Sequence, residues 1–127
     1  MSRLLLLDTD VWVDHLRGHP AAAEYVHANA DRILLCPITL AELYAGARES
    51  ELSGIDAQLA SFPVVPVTGE AGKLAGDFGR AYGKSHGLGL ADALIAAIAR
   101  VQDAELGTLN VRHYPMFEGL KPPYVKR

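Results

Sequence analysis

The chain has 127 residues, 50% hydrophobic and 21% charged, and its net charge of −3 argues against a general basic binder of nucleic acid. This length fits a single domain over residues 1–127, and the single cysteine excludes a disulfide framework or a cysteine-based zinc site. No apolar run is long enough for a membrane span and no signal peptide is evident, so we expect a cytoplasmic protein.

The first half of the chain predicts two strands and four helices. The continuous apolar run Leu4–Leu7 is typical of a strand buried on both faces of a parallel sheet. Asp10 can cap the helix that follows it, and Thr39 can cap a later one. In chain order, we predict a strand at 4–7, helices at 11–17 and 20–29, a strand at 33–36, and helices at 39–48 and 52–61.

The second half predicts three short strands and two longer helices. Thr68 can cap the first of these helices, and the second is rich in alanine with one apolar face. We predict a strand at 64–65, helices at 68–84 and 90–102, and strands at 105–109 and 124–125. Because strands alternate with helices, the pattern indicates an α/β fold with a mainly parallel sheet.

Three carboxylates lie where the predicted strands end or the following helices begin. Asp8 follows the first strand, where an open α/β sheet binds its ligands, although aspartate is also common there as a helix cap. Glu42 follows the second strand, but the segment 39–42 also matches a T-x-x-E capping box. Asp92 is the one charge in the small and apolar segment 87–97, although a helix N-terminus also favours a carboxylate.

Carboxylates gathered at one sheet edge repel one another unless a cation neutralises them. Mg²⁺ suits such a site, because it takes oxygen ligands and keeps waters for a phosphate substrate. The residues therefore predict a magnesium site, with structural capping as the alternative at each position.

Four segments in order resemble the PIN-domain ribonucleases, specifically the VapC-type toxins of toxin–antitoxin pairs. The segments are Leu5–Asp14, Thr39–Gly46, Leu90–Ala97 and Leu106–Tyr114, and together they cover nearly the whole chain. The resemblance implies a three-layer α/β/α sandwich around a mainly parallel five-stranded sheet, in a homodimer. It also implies Mg²⁺-dependent (or Mn²⁺-dependent) endonucleolytic cleavage of RNA, leaving a 5′-phosphate and a 3′-hydroxyl, and a cognate VapB-type antitoxin that blocks the site.

Carried over by position, the resemblance makes Asp8, Glu42 and Asp92 the acidic, metal-binding and catalytic residues. Thr9 falls where the family has a small hydroxyl residue that helps to order the pocket. Asn110 stands where the family often has a fourth aspartate, which puts a tightly bound second metal in doubt.

Flanking residues are assigned to the pocket and to the antitoxin. His113 stands where the family often has an acid, and with Arg112 it is a candidate contact for an RNA phosphate, with an ordinary loop position as the alternative. We expect the antitoxin to bind a hydrophobic groove near the first helices and to place a cation among the acids. Trp12 and Tyr44 are its candidate aromatic anchors, and ordinary core packing is the alternative for both.

Two other functions are open at this point. Asp8-Thr9-Asp10 after an apolar strand resembles the D-x-D motif of haloacid dehalogenase-like phosphatases, although Trp12 stands where that motif favours threonine or valine. A PIN domain that has lost catalysis and only binds is the second. Metal-dependent cleavage of RNA by the purified protein separates this binding module from the enzyme.

Overall fold

The computed structural model describes residues 3–126, in which helices cover both faces of a small parallel sheet. No helix within these residues is long and apolar enough to cross a membrane. The strands are β1 (Leu5–Leu7), β2 (Ile33–Leu34) and β3 (Glu105–Gly107). The helices are α1 (Thr9–Leu16), α2 (Pro20–Ala28), α3 (Pro37–Gly46), α4 (Leu52–Leu59), α5 (Gly69–His86) and α6 (Leu90–Val101).

The strands are parallel in the order β2-β1-β3, so their carboxyl ends meet at one edge. Leu6 of β1 lies beside Leu34 of β2 and Leu106 of β3. These three side chains pack on one face of the sheet, in the cluster that includes α5 and α6. Their neighbours along the strands point to the opposite face, where α1, α3 and α4 cover Leu5, Leu7 and Ile33. The side-chain alternation thus produces a helix layer on each face.

The expected five-stranded sheet is wrong for residues 3–126, where three strands form the sheet. The predicted strand at 64–65 is a single parallel bridge between Val64 and Leu35, because Pro63 just before it has no N–H to extend a ladder. The predicted strand at 124–125 is absent, and Tyr124 instead packs its ring against His19 and donates its hydroxyl to Asp14.

Two predicted helix starts are also wrong. The first helix begins at Thr9 and is capped by Asp8 rather than Asp10, since the Asp8 side chain accepts the N–H of Thr9. The third begins at Pro37, which is favoured in the first turn and brings the start forward. Thr39 therefore lies inside the first turn, and the T-x-x-E capping box does not form. By contrast, the cap predicted at Thr68 is confirmed: its hydroxyl accepts the N–H of Ala71 at 3.1 Å.

Candidate functional site

The candidate site lies at the carboxyl edge of the sheet, where β1 and β3 end side by side. Asp8 follows β1 directly, and its N–H donates to the carbonyl of Gly107, the last residue of β3, at 2.8 Å. A Cβ on Gly107 would lie 2.8 Å from Cδ2 of Leu7 and 2.9 Å from the hydroxyl of Tyr25. This glycine therefore allows the two strand ends to approach closely enough to bring the segment after β3 next to Asp8.

Asp8 is a buried carboxylate that accepts three hydrogen bonds. Its Oδ1 accepts the N–H of Thr9 at 2.8 Å, while its Oδ2 accepts the hydroxyls of Thr108 at 2.8 Å and Tyr114 at 3.0 Å. Burial raises the pKa of Asp8 above its usual range, and the charge of Asp92 raises it further, against the opposing effect of these donors. The carboxylate is therefore held firmly in place, and no Lys or Arg among residues 3–126 forms an ion pair with it.

Asp92, in the first turn of α6, lies close enough to Asp8 and Tyr114 for its charge to raise the pKa of both. The pKa of Tyr114 is raised first by burial and then by the charges of both carboxylates, and its hydroxyl donates to Oδ2 of Asp8. Nδ1 of His113 lies 3.3 Å from Oδ2 of Asp92. The structure thus brings Asp8 and Asp92 near each other beside the buried phenol of Tyr114, while their roles stay predictions.

Asp10 adds a third acid beside this pair. Its Oδ2 accepts the backbone N–H of Leu109 at 3.0 Å. Its Oδ1 is buried and has no hydrogen-bond partner within residues 3–126. Burial, and next the charge of Asp8, raise the pKa of Asp10 to about 6. An unpartnered buried carboxylate oxygen is costly, and a bound cation would satisfy it.

Glu42 is linked to the site through Thr9. The Thr9 hydroxyl donates to Oε1 of Glu42 at 2.7 Å and lies 3.0 Å from the hydroxyl of the buried Thr39. Glu42 is exposed on α3, and within residues 3–126 no three His, Cys, Asp or Glu side chains converge as a metal-binding group. The predicted third ligand is therefore next to the acid pair in the hydrogen-bond network but is not gathered with it.

The predicted pocket residues after β3 divide into two groups. His113 contacts Asp92 directly, as described above. The backbone N–H of Asn110 donates to the Thr108 hydroxyl at 3.0 Å, but its side chain is exposed. Arg112 is also exposed and forms no ion pair with the residues that the structure describes. Thr108 therefore connects the turn around Asn110 to Asp8.

The two candidate antitoxin anchors differ in how deeply they are buried. Trp12 is fully buried and packs edge-on against Phe62, with ring centroids 5.2 Å apart, so it is a core residue and cannot be an exposed anchor. Tyr44 is half-buried on α3 and donates its hydroxyl to Asp56. A groove of about 380 Å³ between α1, α3 and α4 has Glu42 on its wall. Its apolar lining includes Val13, Leu16, Leu43 and Ile55.

Sequence reasoning missed Thr108 and Tyr114, the two hydroxyls that hold Asp8. Both lie in a segment that was matched as a motif, but neither hydroxyl was distinguished from ordinary turn and core positions. A polar side chain directly after the last strand was the available signal for Thr108. For Tyr114 the sequence carried no signal, because only the packing places a buried phenol against Asp8 and near Asp92.

The arrangement collects carboxylate and hydroxyl oxygens in a partly buried space, with the His113 ring as the one nitrogen contact described among them. No Lys or Arg forms an ion pair with Asp8, Asp10 or Asp92 in the described part of the chain. Hard divalent cations prefer such oxygen donors, and they would offset the repulsion between the carboxylates. The site is therefore chemically suited to bind a divalent cation rather than an anionic group.

Comparison with known proteins agrees with this geometry. The family model for the PIN domain matches residues 5–114. Ribonuclease VapC10 of Mycobacterium tuberculosis is 48% identical over 124 residues, covering 95% of this chain and 93% of the relative. Ribonuclease VapC19 of the same organism is 45% identical over 124 residues, covering 94% of this chain and 98% of the relative.

Solved structures show the same fold. A toxin–antitoxin complex from Klebsiella pneumoniae has a TM-score of 0.82 at 24% identity, covering 94% of this chain and 98% of its own. VapBC2 from Rickettsia felis, bound to a promoter DNA fragment, has a TM-score of 0.75 at 25% identity, covering 92% and 95%. With the family model spanning most of the chain and relatives at nearly half identity, the chain belongs to the PIN-domain family, and its relatives within that family are VapC proteins.

Proposed function

We propose that the protein is a metal-dependent endoribonuclease, the toxin of a type II toxin–antitoxin pair. The observation that carries the proposal is the approach of Asp8 and Asp92 at the sheet edge, where no Lys or Arg within residues 3–126 pairs with either, in a chain 48% identical to a ribonuclease. Family membership removes the support for a haloacid dehalogenase-like phosphatase. The binding module without catalysis stays as the alternative that the assay below tests.

The proposed cofactor is Mg²⁺, with Mn²⁺ as a substitute. The residues fit such an ion, because the site offers carboxylate oxygens and Oδ1 of Asp10 is buried without a partner among the described residues. Asp8 and Asp92 would hold the ion, and Glu42 is the third proposed ligand. When bound, the ion polarises a phosphodiester and lowers the pKa of a bound water.

The side chains around the acids have positioning roles in this proposal. Thr108 and Tyr114 keep Oδ2 of Asp8 in one orientation by donating two hydrogen bonds to it. Thr9 holds Glu42 next to the pair, where its carboxylate can orient the attacking water. His113 limits the rotation of Asp92 through its contact at 3.3 Å. No histidine needs to act as a general base in this scheme.

Cleavage of RNA by the purified protein, with and without Mg²⁺, tests the proposal. We expect Mg²⁺ to support cleavage and Asp92→Asn to lower the rate by at least ~100-fold, since it removes charge with little change in shape. Asp77→Asn is a matched control, because Asp77 is exposed on α5 and paired with Arg80. Cleavage by Asp92→Asn at the unmodified rate would show that the site assignment is wrong, and no cleavage by the unmodified protein would favour the binding module.

The proposed partner is a VapB-type antitoxin that covers the groove between α1, α3 and α4. The structural neighbours are themselves toxin–antitoxin complexes, and Glu42 connects the groove to the acid site. We expect Tyr44→Ala to weaken antitoxin binding with unchanged circular dichroism, because Tyr44 is the remaining aromatic candidate beside the groove. Val67→Ala, which trims an exposed apolar residue elsewhere, is the control. Equal affinity of the two variants and the unmodified protein would exclude this anchor.

A homodimer also stays a prediction. Light scattering, which measures the molar mass of the protein in solution, checks it.

A further inference from the structure

A second cavity opens beside the acid site, between the end of α5 and the turn that follows β3. Its volume is about 690 Å³, within the range of ~300–1,000 Å³ typical of small-molecule sites. Gly87 ends α5 with φ of 67°, a left-handed conformation that favours glycine and turns the chain away from the helix axis. The other residues around the cavity are Ser85, His86, Val111, Arg112, His113 and Pro115.

The lining of this cavity is basic, in contrast to the acid site next to it. None of its lining residues is an aspartate or a glutamate. Arg112 is exposed and has no ion-pair partner within residues 3–126, so its guanidinium can bind an anion. Nδ1 of His86 lies 2.7 Å from the hydroxyl of Ser85. When that hydroxyl donates to Nδ1, the proton of the neutral ring is on Nε2, which can then donate to a second group.

His113 joins the cavity to the acid site, because it lines the cavity and also contacts Asp92 at 3.3 Å. A strand of RNA whose scissile phosphate lies at the acids would therefore enter the cavity with a neighbouring nucleotide. Arginine pairs well with phosphate oxygens, and the apolar side chains of Val111 and Pro115 provide a surface for a sugar or base.

We propose that this cavity is a substrate subsite for single-stranded RNA. In it, Arg112 and His86 bind a phosphate that flanks the scissile bond, from opposite sides of the cavity. The inference rests on the proposed ribonuclease function and deepens it, since it states which side of the acid pair the strand follows. Neither residue touches the reacting atoms, so both are positioning residues for the substrate.

The test compares Arg112→Gln, His86→Ala and the double variant with Arg80→Gln, which removes the same charge from an exposed position on α5. Binding of a fluorescein-labelled single-stranded RNA is measured by anisotropy at several salt concentrations, with Ca²⁺ in place of Mg²⁺. We expect Kd to rise about 10-fold in Arg112→Gln and further in the double variant. The slope of log K against log salt should fall by ~0.7 in Arg112→Gln and no further in the double variant, because both residues contact the same phosphate.

Steady-state cleavage with Mg²⁺ completes the test. We expect a higher KM with kcat nearly unchanged, because a flanking contact binds ground state and transition state alike. Kd, KM and salt slope equal to those of Arg80→Gln, in a protein that still cuts RNA, would overturn the subsite and leave the ribonuclease proposal standing. An unmodified protein that cuts no RNA would overturn both.

Discussion

Two buried aspartates near opposite ends of α1 have opposite electrostatic environments. Asp14 is 6% exposed and Asp8 is 4% exposed, so the two differ little in burial. Burial opposes the ionisation of Asp14, but hydrogen bonds from Lys126 at 2.9 Å and Tyr124 at 2.8 Å outweigh it and lower the pKa. Here the chain supplies the cation itself.

The Asp8 side chain accepts three hydrogen bonds, one more than that of Asp14, but no Lys or Arg within residues 3–126 pairs with it. It accepts two hydroxyls and one backbone N–H, and Asp92 adds a like charge, so its pKa is raised. The difference between the two sites is therefore the missing positive charge and not the number of hydrogen bonds. Asp14 closes a structural contact between α1 and the C-terminal segment, whereas Asp8 is left for an external cation to neutralise.

The largest expected effect is on the rate of RNA cleavage, which should depend on Asp8 and not on Asp14. Asp8→Asn should lower RNA cleavage by at least ~100-fold, because an amide is a poor ligand for a hard divalent cation. Asp14→Asn should keep kcat in its folded fraction, since Asp14 contacts the C-terminal segment and not the acid pair. Cleavage rates normalised to folded protein by circular dichroism measure the contrast. Equal losses of cleavage rate in the two variants would contradict the different roles of Asp8 and Asp14.

The free energy of unfolding should show the reverse order, with a larger loss in Asp14→Asn than in Asp8→Asn. Asp14→Asn should lower the free energy of unfolding by roughly 1–3 kcal/mol, because it disrupts hydrogen bonds to a buried group. Most of this loss comes from the buried acceptor, since Lys126 is half-exposed and an exposed ion pair adds little. Urea denaturation at neutral pH measures the change, with Asp31→Asn at an exposed position as the control. A loss no greater than that of the control would argue against a structural Asp14.

The pH dependence of the same pair of proteins sharpens this result. The pKa of Asp14 is lowered in the folded state, so the carboxylate stabilises the fold above its unfolded pKa of about 3.8. That contribution is lost as the pH falls through the lower folded value. The stability difference between the unmodified protein and Asp14→Asn should therefore be constant near neutral pH and shrink below about pH 4. A difference that persists unchanged in strong acid would contradict the assignment.

The sequence allowed the acid pair to be predicted because that inference needs only topology. Parallel strands share a carboxyl edge, so Asp8 after β1 and Asp92 at the start of α6 had to be near each other. The predicted capping box was wrong because the helix begins at Pro37, two residues before Thr39. Local spacing alone does not decide which of two possible helix starts is used. The prediction of five strands was wrong because the apolar pairs at 64–65 and 124–125 are too short to distinguish a strand from a single bridge or a packed side chain.

Trp12 shows a different limit. An aromatic residue on an amphipathic helix has the same pattern whether it faces the core or a partner. Only the packing against Phe62 decides the question. Tyr114 is similar, because the sequence shows an aromatic residue but neither the hydrogen bond of its hydroxyl to Asp8 nor the nearby charge of Asp92.

Tyr114→Phe tests that hydroxyl with a smaller expected effect than the loss of an acid. The ring stays in the core while Asp8 loses one of the two donors on its Oδ2. We expect Mn²⁺ to bind about 10-fold more weakly, since groups that orient a metal ligand commonly contribute this much. Calorimetric titration of Mn²⁺ measures the affinity, and Tyr82→Phe on α5 controls for loss of a phenol elsewhere. An unchanged Kd would limit Tyr114 to packing.

Asn110→Asp should have the smallest effect, because it adds its carboxylate at an exposed position. The backbone N–H of Asn110 bonds the hydroxyl of Thr108, which in turn bonds Asp8, so an added charge there is close to the acid pair. The unmodified protein lacks this charge, and we expect it to bind one Mn²⁺ per active site without RNA.

The variant should bind Mn²⁺ a few-fold more tightly or take up a second, weaker ion, with solvent screening limiting the gain. Ala30→Asp adds the same charge before β2, at the opposite edge of the sheet, and should change neither quantity. Two equally tight ions in the unmodified protein would show that the acids already present are sufficient for two metals. In that case the site at the Asp8 end of α1 would bind a second ion without the carboxylate that Asn110→Asp adds.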